Sequence, residues 1–260
     1  MAATIGVFDS GIGGLGIFAE VRRLLPEADL IYVADHSHSP YGERTLADLR
    51  RRCDEVTEWL IGQECTVITL ACNTASAAAL HPLRRRHPEI AFVGMEPAVK
   101  PAVASTGTGK VGVVATSATF QGELFASVID RFAAGVEVIT AACPRWVELA
   151  EAGTVSDRRA HEQVELCLTP MIEAGVDVLV LACTHYPALA ETIRDVMGPD
   201  VTIIDPAPAV ARQTGRMAAE RGADMGGMTT ALFSTGDVGR LETAARRLGI
   251  PGTAALLRLP

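Results

Sequence analysis

The chain has 260 residues, 48% of them apolar and 21% charged, with a net charge of −8 and a pI near 5.3. That acidic balance argues against nucleic acid or an anionic membrane as the main partner, because phosphate contacts need clustered Lys and Arg. Lysine occurs only as Lys100 and Lys110, beside Pro101 and Val111, which speaks against a pyridoxal phosphate enzyme with its positioned Schiff-base lysine.

Apolar, β-branched runs predict strands at 4–8, 29–34, 66–71, 91–94, 111–115, 136–140, 177–182 and 201–204, with a further strand through Ala231-Leu232-Phe233. Helical periodicity fills most of the gaps, and a final helix ends near Gly249. Continuous apolar strands alternating with helices mean an α/β fold with mostly parallel sheets covered on both faces. Two echoes divide it. Ile5-Gly6-Val7-Phe8 returns as Val111-Gly112-Val113-Val114, and VITLACNT at 67–74 returns as VLVLACTH at 178–185. With proline-bearing joints at 96–101 and 205–208, the expected domains are 1–97 with 209–260, and 98–208. No run approaches the roughly 20 apolar residues of a membrane helix, and the N-terminus leads directly into strand-like TIGVF. Neither a membrane span nor an export signal is expected. Cys53, Cys65, Cys72, Cys143, Cys167 and Cys183 are then expected as reduced thiols in the cytoplasm.

In chain order, the first motif is Asp9-Ser10-Gly11-Ile12-Gly13-Gly14-Leu15-Gly16, which satisfies G-x-G-x-x-G after a strand, with Asp35 imitating the acidic ribose partner. An aspartate at the strand end would set negative charge beside a pyrophosphate. The reading preferred here is therefore a polar site in which Asp9 and Ser10 face a ligand and glycine N–H groups approach an anion, with a plain helix-capping loop as the alternative. Pro40-Tyr41-Gly42 is a turn that can cover such a site. The basic runs Arg50-Arg51-Arg52 and Arg84-Arg85-Arg86-His87 read as solvated faces or cations favoured at helix C-termini.

Cys72-Asn73-Thr74 and Cys183-Thr184-His185 each stand where a buried strand gives way to a helix, the position at which open α/β sheets hold ligands. The other four cysteines read as small buried hydrophobes. Zinc held by Cys72, Cys183, His185 and Asp9 is a competing reading, although the paired close spacing of structural zinc sites is missing. A Cys-His hydrolase with His185 as base would leave the second motif unexplained. Two matched thiols can instead invert a carbon acid: a thiolate removes a proton from one face while a thiol returns one to the other. A reference thiol pKa of about 8.5 requires tuning neighbours, for which Asp9 and His185 are candidates, with Glu151 as an orienter of His185. Ser10, Tyr41, Asn73, Thr74, Thr116, Thr119 and Thr184 are neutral donors suited to carboxylates.

These residues closely resemble the glutamate racemases of the cofactor-independent aspartate/glutamate racemase superfamily. The matching stretches run in order through almost the whole chain: Ile5–Gly11, Pro40-Tyr41-Gly42, Ala71–Ala75, Gly94–Ala98, Cys183–Pro187 and Phe233–Asp237. The resemblance implies two pseudo-symmetric α/β domains, an active site in the cleft between them, and interconversion of L- and D-glutamate for peptidoglycan. It implies Cys72 and Cys183 as the acid/base pair, aided by Asp9 on one side and by His185 with Glu151 on the other. Asp9, Ser10, Pro40, Tyr41, Gly42, Asn73, Thr74, Thr184 and His185 would meet the substrate, with no cofactor and no metal. A homodimer is an assembly the sequence leaves open. One departure stands before Pro40, where the segment reads Asp35-His36-Ser37-His38-Ser39 and the family commonly has an Ala-Arg pair.

Overall fold

The computed structural model describes residues 4–221 and 227–259. The chain forms two compact units, Met1–Met95 with Ala207–Pro260, and Glu96–Pro206. The first unit opens with β1 (Thr4–Asp9), α1 (Leu15–Leu24), β2 (Asp29–Ala34), α2 (Leu46–Gly62), β3 (Cys65–Leu70), α3 (Asn73–Arg86) and β4 (Ala91–Gly94). The second unit comprises α4 (Val99–Ser105), β5 (Lys110–Ala115), α5 (Ser117–Gln121), α6 (Glu123–Phe132), β6 (Glu137–Ala142), α7 (Pro144–Ala152), α8 (Arg158–Ala174), β7 (Val178–Ala182), α9 (Ala190–Met197) and β8 (Thr202–Ile204). The chain then returns to the first unit through α10 (Ala207–Glu220), β9 (Thr230–Ser234), α11 (Val238–Arg247) and β10 (Ala254–Leu256).

Every strand pairing is parallel, in the orders β10-β9-β2-β1-β3-β4 and β6-β5-β7-β8. The α/β class with parallel sheets read from the apolar runs is what forms. Both sheets share one topological device. The first strand of each unit (β1, β5) is flanked by the second on one side and the third (β3, β7) on the other, so the strand order reverses beside it. Loops at the carboxyl ends of strands diverge at such a point and leave room for a ligand.

Burial on both faces explains the near-continuous apolar strands. In the second unit Val111, Val113 and Val180 pack toward α4 and α6, while Val114, Leu179, Leu181 and Cys183 pack with Trp146, Leu168 and Met171. In the first unit Ile5, Val7, Leu30 and Tyr32 pack with Leu15, Phe18 and Val21 of α1 and with Val210 and Ala211 of α10. Two glycines at matched positions let a helix lie close to the first strand. A Cβ on Gly6 would stand 3.0 Å from Leu60 of α2, and one on Gly112 would stand 2.8 Å from Met171 of α8. The three-residue β10 lies outside the strands that the apolar runs predict, being too short for its periodicity to stand out. Among the described residues no helix is long and apolar enough to cross a membrane.

Candidate active site

β3 runs Cys65–Leu70 and stops, and Cys72, in extended backbone, becomes the N-cap of α3. Its sulfur takes the place of the usual capping hydroxyl and accepts from Ala75 N at 3.5 Å. An amide donor and the positive end of a helix favour the thiolate. Ser10 follows β1, whose Phe8 pairs with Leu70, and its hydroxyl accepts from the Cys72 thiol at 3.9 Å. Asn73 and Thr74 form the buried first turn of α3. Both side-chain amide atoms of Asn73 are buried and have no partner among the described residues. Buried amide groups are seldom left so, and a ligand would satisfy them.

The glycine loop turns inward. Gly11 N and Gly14 N both donate to Asp9 Oδ2 at 3.1 Å, and Tyr32 OH donates to Gly11 O at 2.8 Å. A Cβ on Gly14 would stand 2.7 Å from Asp9 Cβ, so glycine is what lets the loop close on the carboxylate. Those two N–H groups serve Asp9 itself, and the anion they were expected to approach is this side chain. The apparent ribose partner, Asp35, is fully buried and paired with Arg52. That pairing corrects the reading of Arg50–Arg52 as a solvated face: Arg52 is 3% exposed, whereas Arg51 stays at the surface with Asp48 and Glu55.

Pro40 follows a cis peptide and leads into a 3-10 turn, Tyr41–Glu43. The Tyr41 ring is buried and its hydroxyl donates to Asp35 Oδ2 at 2.6 Å. Burial first, then the charges of nearby Cys53 and Asp35, push that phenol well above its ordinary range. It stays a donor at any physiological pH. Gly42 sits in the same turn.

In the second unit β7 ends at Ala182, which pairs with Ala115, so Cys183 and Thr116 stand side by side one step beyond the register. Cys183 Sγ lies 4.0 Å from His185 Nδ1, the outer limit for a hydrogen bond to sulfur, and His185 Nε2 lies 2.6 Å from Glu151 Oε1. A carboxylate accepts, so Nε2 is assigned the proton and Nδ1 turns its lone pair toward the thiol. Cys183 can pass its proton to an imidazole whose positive charge Glu151 then balances. Glu151 reaches His185 because α7 starts with Pro144 at its first turn and stops at Gly153, a left-handed C-cap with φ 72°. Thr116 caps α5, accepting from Thr119 N at 3.4 Å, and the two hydroxyls lie 2.9 Å apart. Thr184, half-buried, lies between Cys183 and His185. Within each unit the expected residues therefore come together: Asp9, Ser10, Cys72, Asn73 and Thr74 in one, Thr116, Thr119, Glu151, Cys183, Thr184 and His185 in the other.

Tyr186, within the Cys183–Pro187 stretch, supports the loop although no role is expected for it from sequence. Its buried hydroxyl lies 3.0 Å from Ala115 O and 2.9 Å from Cys143 O, and its ring packs edge-on against Trp146 at 4.9 Å. The expectation of six reduced thiols is corrected: Cys143 and Cys167 form a disulfide, with Cα atoms 6.2 Å apart. Cys143 sits at the N-cap of α7 and Cys167 on α8, two helices in contact, which brings a pair 24 residues apart within bridging distance. The buried Cys53 and Cys65 remain thiols; burial raises both, Cys65 to about 12. Among the described residues no group of three or more His, Cys, Asp or Glu side chains comes together to hold a metal.

The model of the Asp/Glu/Hydantoin racemase family matches residues 16–214. A glutamate racemase of Roseiflexus sp. is 46% identical over 255 residues, covering 96% of this chain and 93% of the relative. Among solved structures, Escherichia coli glutamate racemase in complex with L-glutamate and the activator UDP-MurNAc-ala superimposes with TM-score 0.90 at 30% identity, covering 100% of both chains. Glutamate racemase from Francisella tularensis in complex with D-glutamate gives TM-score 0.86 at 26% identity, covering 99% of this chain and 98% of that one.

Proposed function

Because the chain belongs to the Asp/Glu/hydantoin racemase family, we propose that it interconverts L- and D-glutamate by proton transfer between Cα and two cysteines, Cys72 and Cys183, without a cofactor. The observation that carries the reading is the pair of buried thiols outside the disulfide, each just beyond the carboxyl end of the third strand of its unit and each with its own polar partner. Relatives solved with L-glutamate in one case and D-glutamate in the other support the substrate.

In the forward direction one thiolate takes the Cα proton and the carbanion formed is neutralised by the thiol on the other face, which leaves the opposite enantiomer. The roles reverse for the return. Ala75 N and the start of α3 stabilise Cys72 as thiolate; His185, balanced by Glu151, does so for Cys183. The α-carboxylate must accept hydrogen bonds that strengthen as charge develops at Cα, which is the role we assign to Asn73, Thr184 and the Thr116–Thr119 pair, with Ser10 beside Cys72. Asp9 keeps the Ser10 loop in place and assists the Cys72 side. The product D-glutamate would supply peptidoglycan, a reading that the muramyl activator of the Escherichia coli relative supports. Polarimetry tests the function. The rotation of an L-glutamate solution should decay to zero with purified protein and chelator alone, while aspartate decays far more slowly. A stable rotation, or faster decay of aspartate, would overturn the proposal.

A further inference from the structure

We infer that Asp35 is a positioning residue for this reaction, holding the Pro40-Tyr41-Gly42 turn in register with the Cys72 end of the first unit. The inference rests on the racemase reading. Asp35 is not itself among the residues expected to meet the substrate, but it bonds two that are, Asp9 and Tyr41; it stands just after β2, where its N–H donates to Asp9 O at 2.9 Å. Its carboxylate is fully buried and draws donors from three separate segments. Oδ2 accepts from Tyr41 OH at 2.6 Å and Arg52 Nε at 2.9 Å; Oδ1 accepts from Arg52 Nη2 and from the Thr235 hydroxyl, both at 2.7 Å.

Four directional bonds on one carboxylate fix its orientation and that of each donor. Arg52 reaches it from α2 and is itself anchored by Glu55 at 2.7 Å, Thr235 reaches it from the loop after β9, and Tyr41 from the turn. The same aspartate thus joins the backbone of Asp9 to the turn that touches α3, the helix Cys72 caps. A buried ion pair is a poor device for stability alone, since apolar side chains of similar volume usually do as well. What it supplies is geometry. Burial would raise the Asp35 carboxyl, but the bonds from Arg52, Tyr41 and Thr235 outweigh it and keep it ionised.

Enantiomers have equal free energy, so kcat/KM must be the same for L- and D-glutamate in any variant and cannot locate a defect on one side. Deuterium isotope effects on kcat/KM can. With α-deuterated D- and L-glutamate, a defect confined to the Cys72 transfer raises the effect for the enantiomer that Cys72 deprotonates and lowers it for the other; Cys72→Ser, run in parallel, identifies which is which. Asp35→Asn strands the Arg52 guanidinium and endangers the fold, so Tyr41→Phe and Thr235→Val, each removing one donor, carry the test. Tyr41→Phe should lower kcat/KM on the order of tenfold to a hundredfold and move the two isotope effects apart in the sense of Cys72→Ser. Thr235→Val should do the same to a smaller extent. If kcat/KM falls while the two effects stay unchanged or move together, the cluster is only structural and the inference is wrong. If the unmodified protein exchanges no α-proton on either enantiomer, the racemase reading itself fails and takes the inference with it.

Discussion

On the proposed mechanism, Cys72→Ala and Cys183→Ala each remove one proton carrier and leave the neighbouring side chains in place. Racemisation should fall on the order of 10³-fold or more in either variant, with melting temperature little changed; a variant retaining a tenth of the activity would mean that its thiol is not a proton carrier. Glu151→Gln keeps a hydrogen-bond acceptor for His185 Nε2–H but removes the charge that balances the imidazolium. It should lower kcat about tenfold, read by the same polarimetric assay, and an unaltered kcat would detach Glu151 from the chemistry. Asp35 and Asp177 give an acid-stability prediction. Both carboxyls lie below their ordinary values, Asp35 because its hydrogen bonds outweigh burial, and Asp177, at about 2, because bonds from Thr106, Thr108 and Gly107 outweigh burial. A depressed folded-state pKa gives stability that is complete above the unfolded value near 4 and is lost as pH falls toward the folded one. Denaturation midpoints should therefore be insensitive to these groups between pH 5 and 8 and drop below about pH 4; loss beginning near pH 6 would contradict the assignment.

Helix α1 offers a paired test of the loop that precedes it. A Cβ on Gly14 meets Asp9, Ala71 and Tyr32, whereas one on Gly16, two residues later, meets nothing within 4 Å. Gly14→Ala should cost about 1–3 kcal/mol and Gly16→Ala should be neutral or stabilise by about 0.5–1 kcal/mol, as measured by chemical denaturation. The reverse order would mean the loop does not close on Asp9. The Cys143–Cys167 bridge ties α7, which carries Glu151, to α8. In denaturant without reductant four thiols should react, rising to six after reduction; six at the outset would remove the bridge. Closing a loop of 24 residues contributes about 3 kcal/mol, which Cys167→Ser should lose. At this scale sequence and structure part for a physical reason. The strands were legible because two-sided burial leaves unbroken apolar runs, and Cys72 and Cys183 because strand, thiol and helix start are adjacent in the chain. The Asp35–Arg52 pair and the disulfide join residues 17 and 24 positions apart with no local pattern. Only packing of the helices makes them neighbours, and the same holds for His185 and Glu151, 34 apart, a pairing the residues offered as one candidate and the family resemblance strengthened.

Across the whole molecule the same plan appears twice: a first strand flanked on both sides, a glycine that admits a helix, a reversal of strand order, and a third strand followed within two residues by a cysteine. Repetition of a plan delivers two similar groups, and inversion at a carbon needs two groups of similar chemistry, one for each face. The neighbours differ where the chemistry is asymmetric, with a capped helix beside Cys72 and an imidazole–carboxylate pair beside Cys183. A thiol carries a single proton, so a carrier of this kind cannot return a mixture of old and new hydrogens from a pool of its own. The measurement that tests the two-thiol account most directly is the early time course in D2O with L-glutamate and then D-glutamate, separating enantiomers and measuring α-deuterium in each. The account predicts deuterium in the product enantiomer from the first turnovers while the remaining substrate keeps its protium. Protium in the product, deuterium entering the unconverted substrate at the same rate, or no exchange with either enantiomer would contradict it.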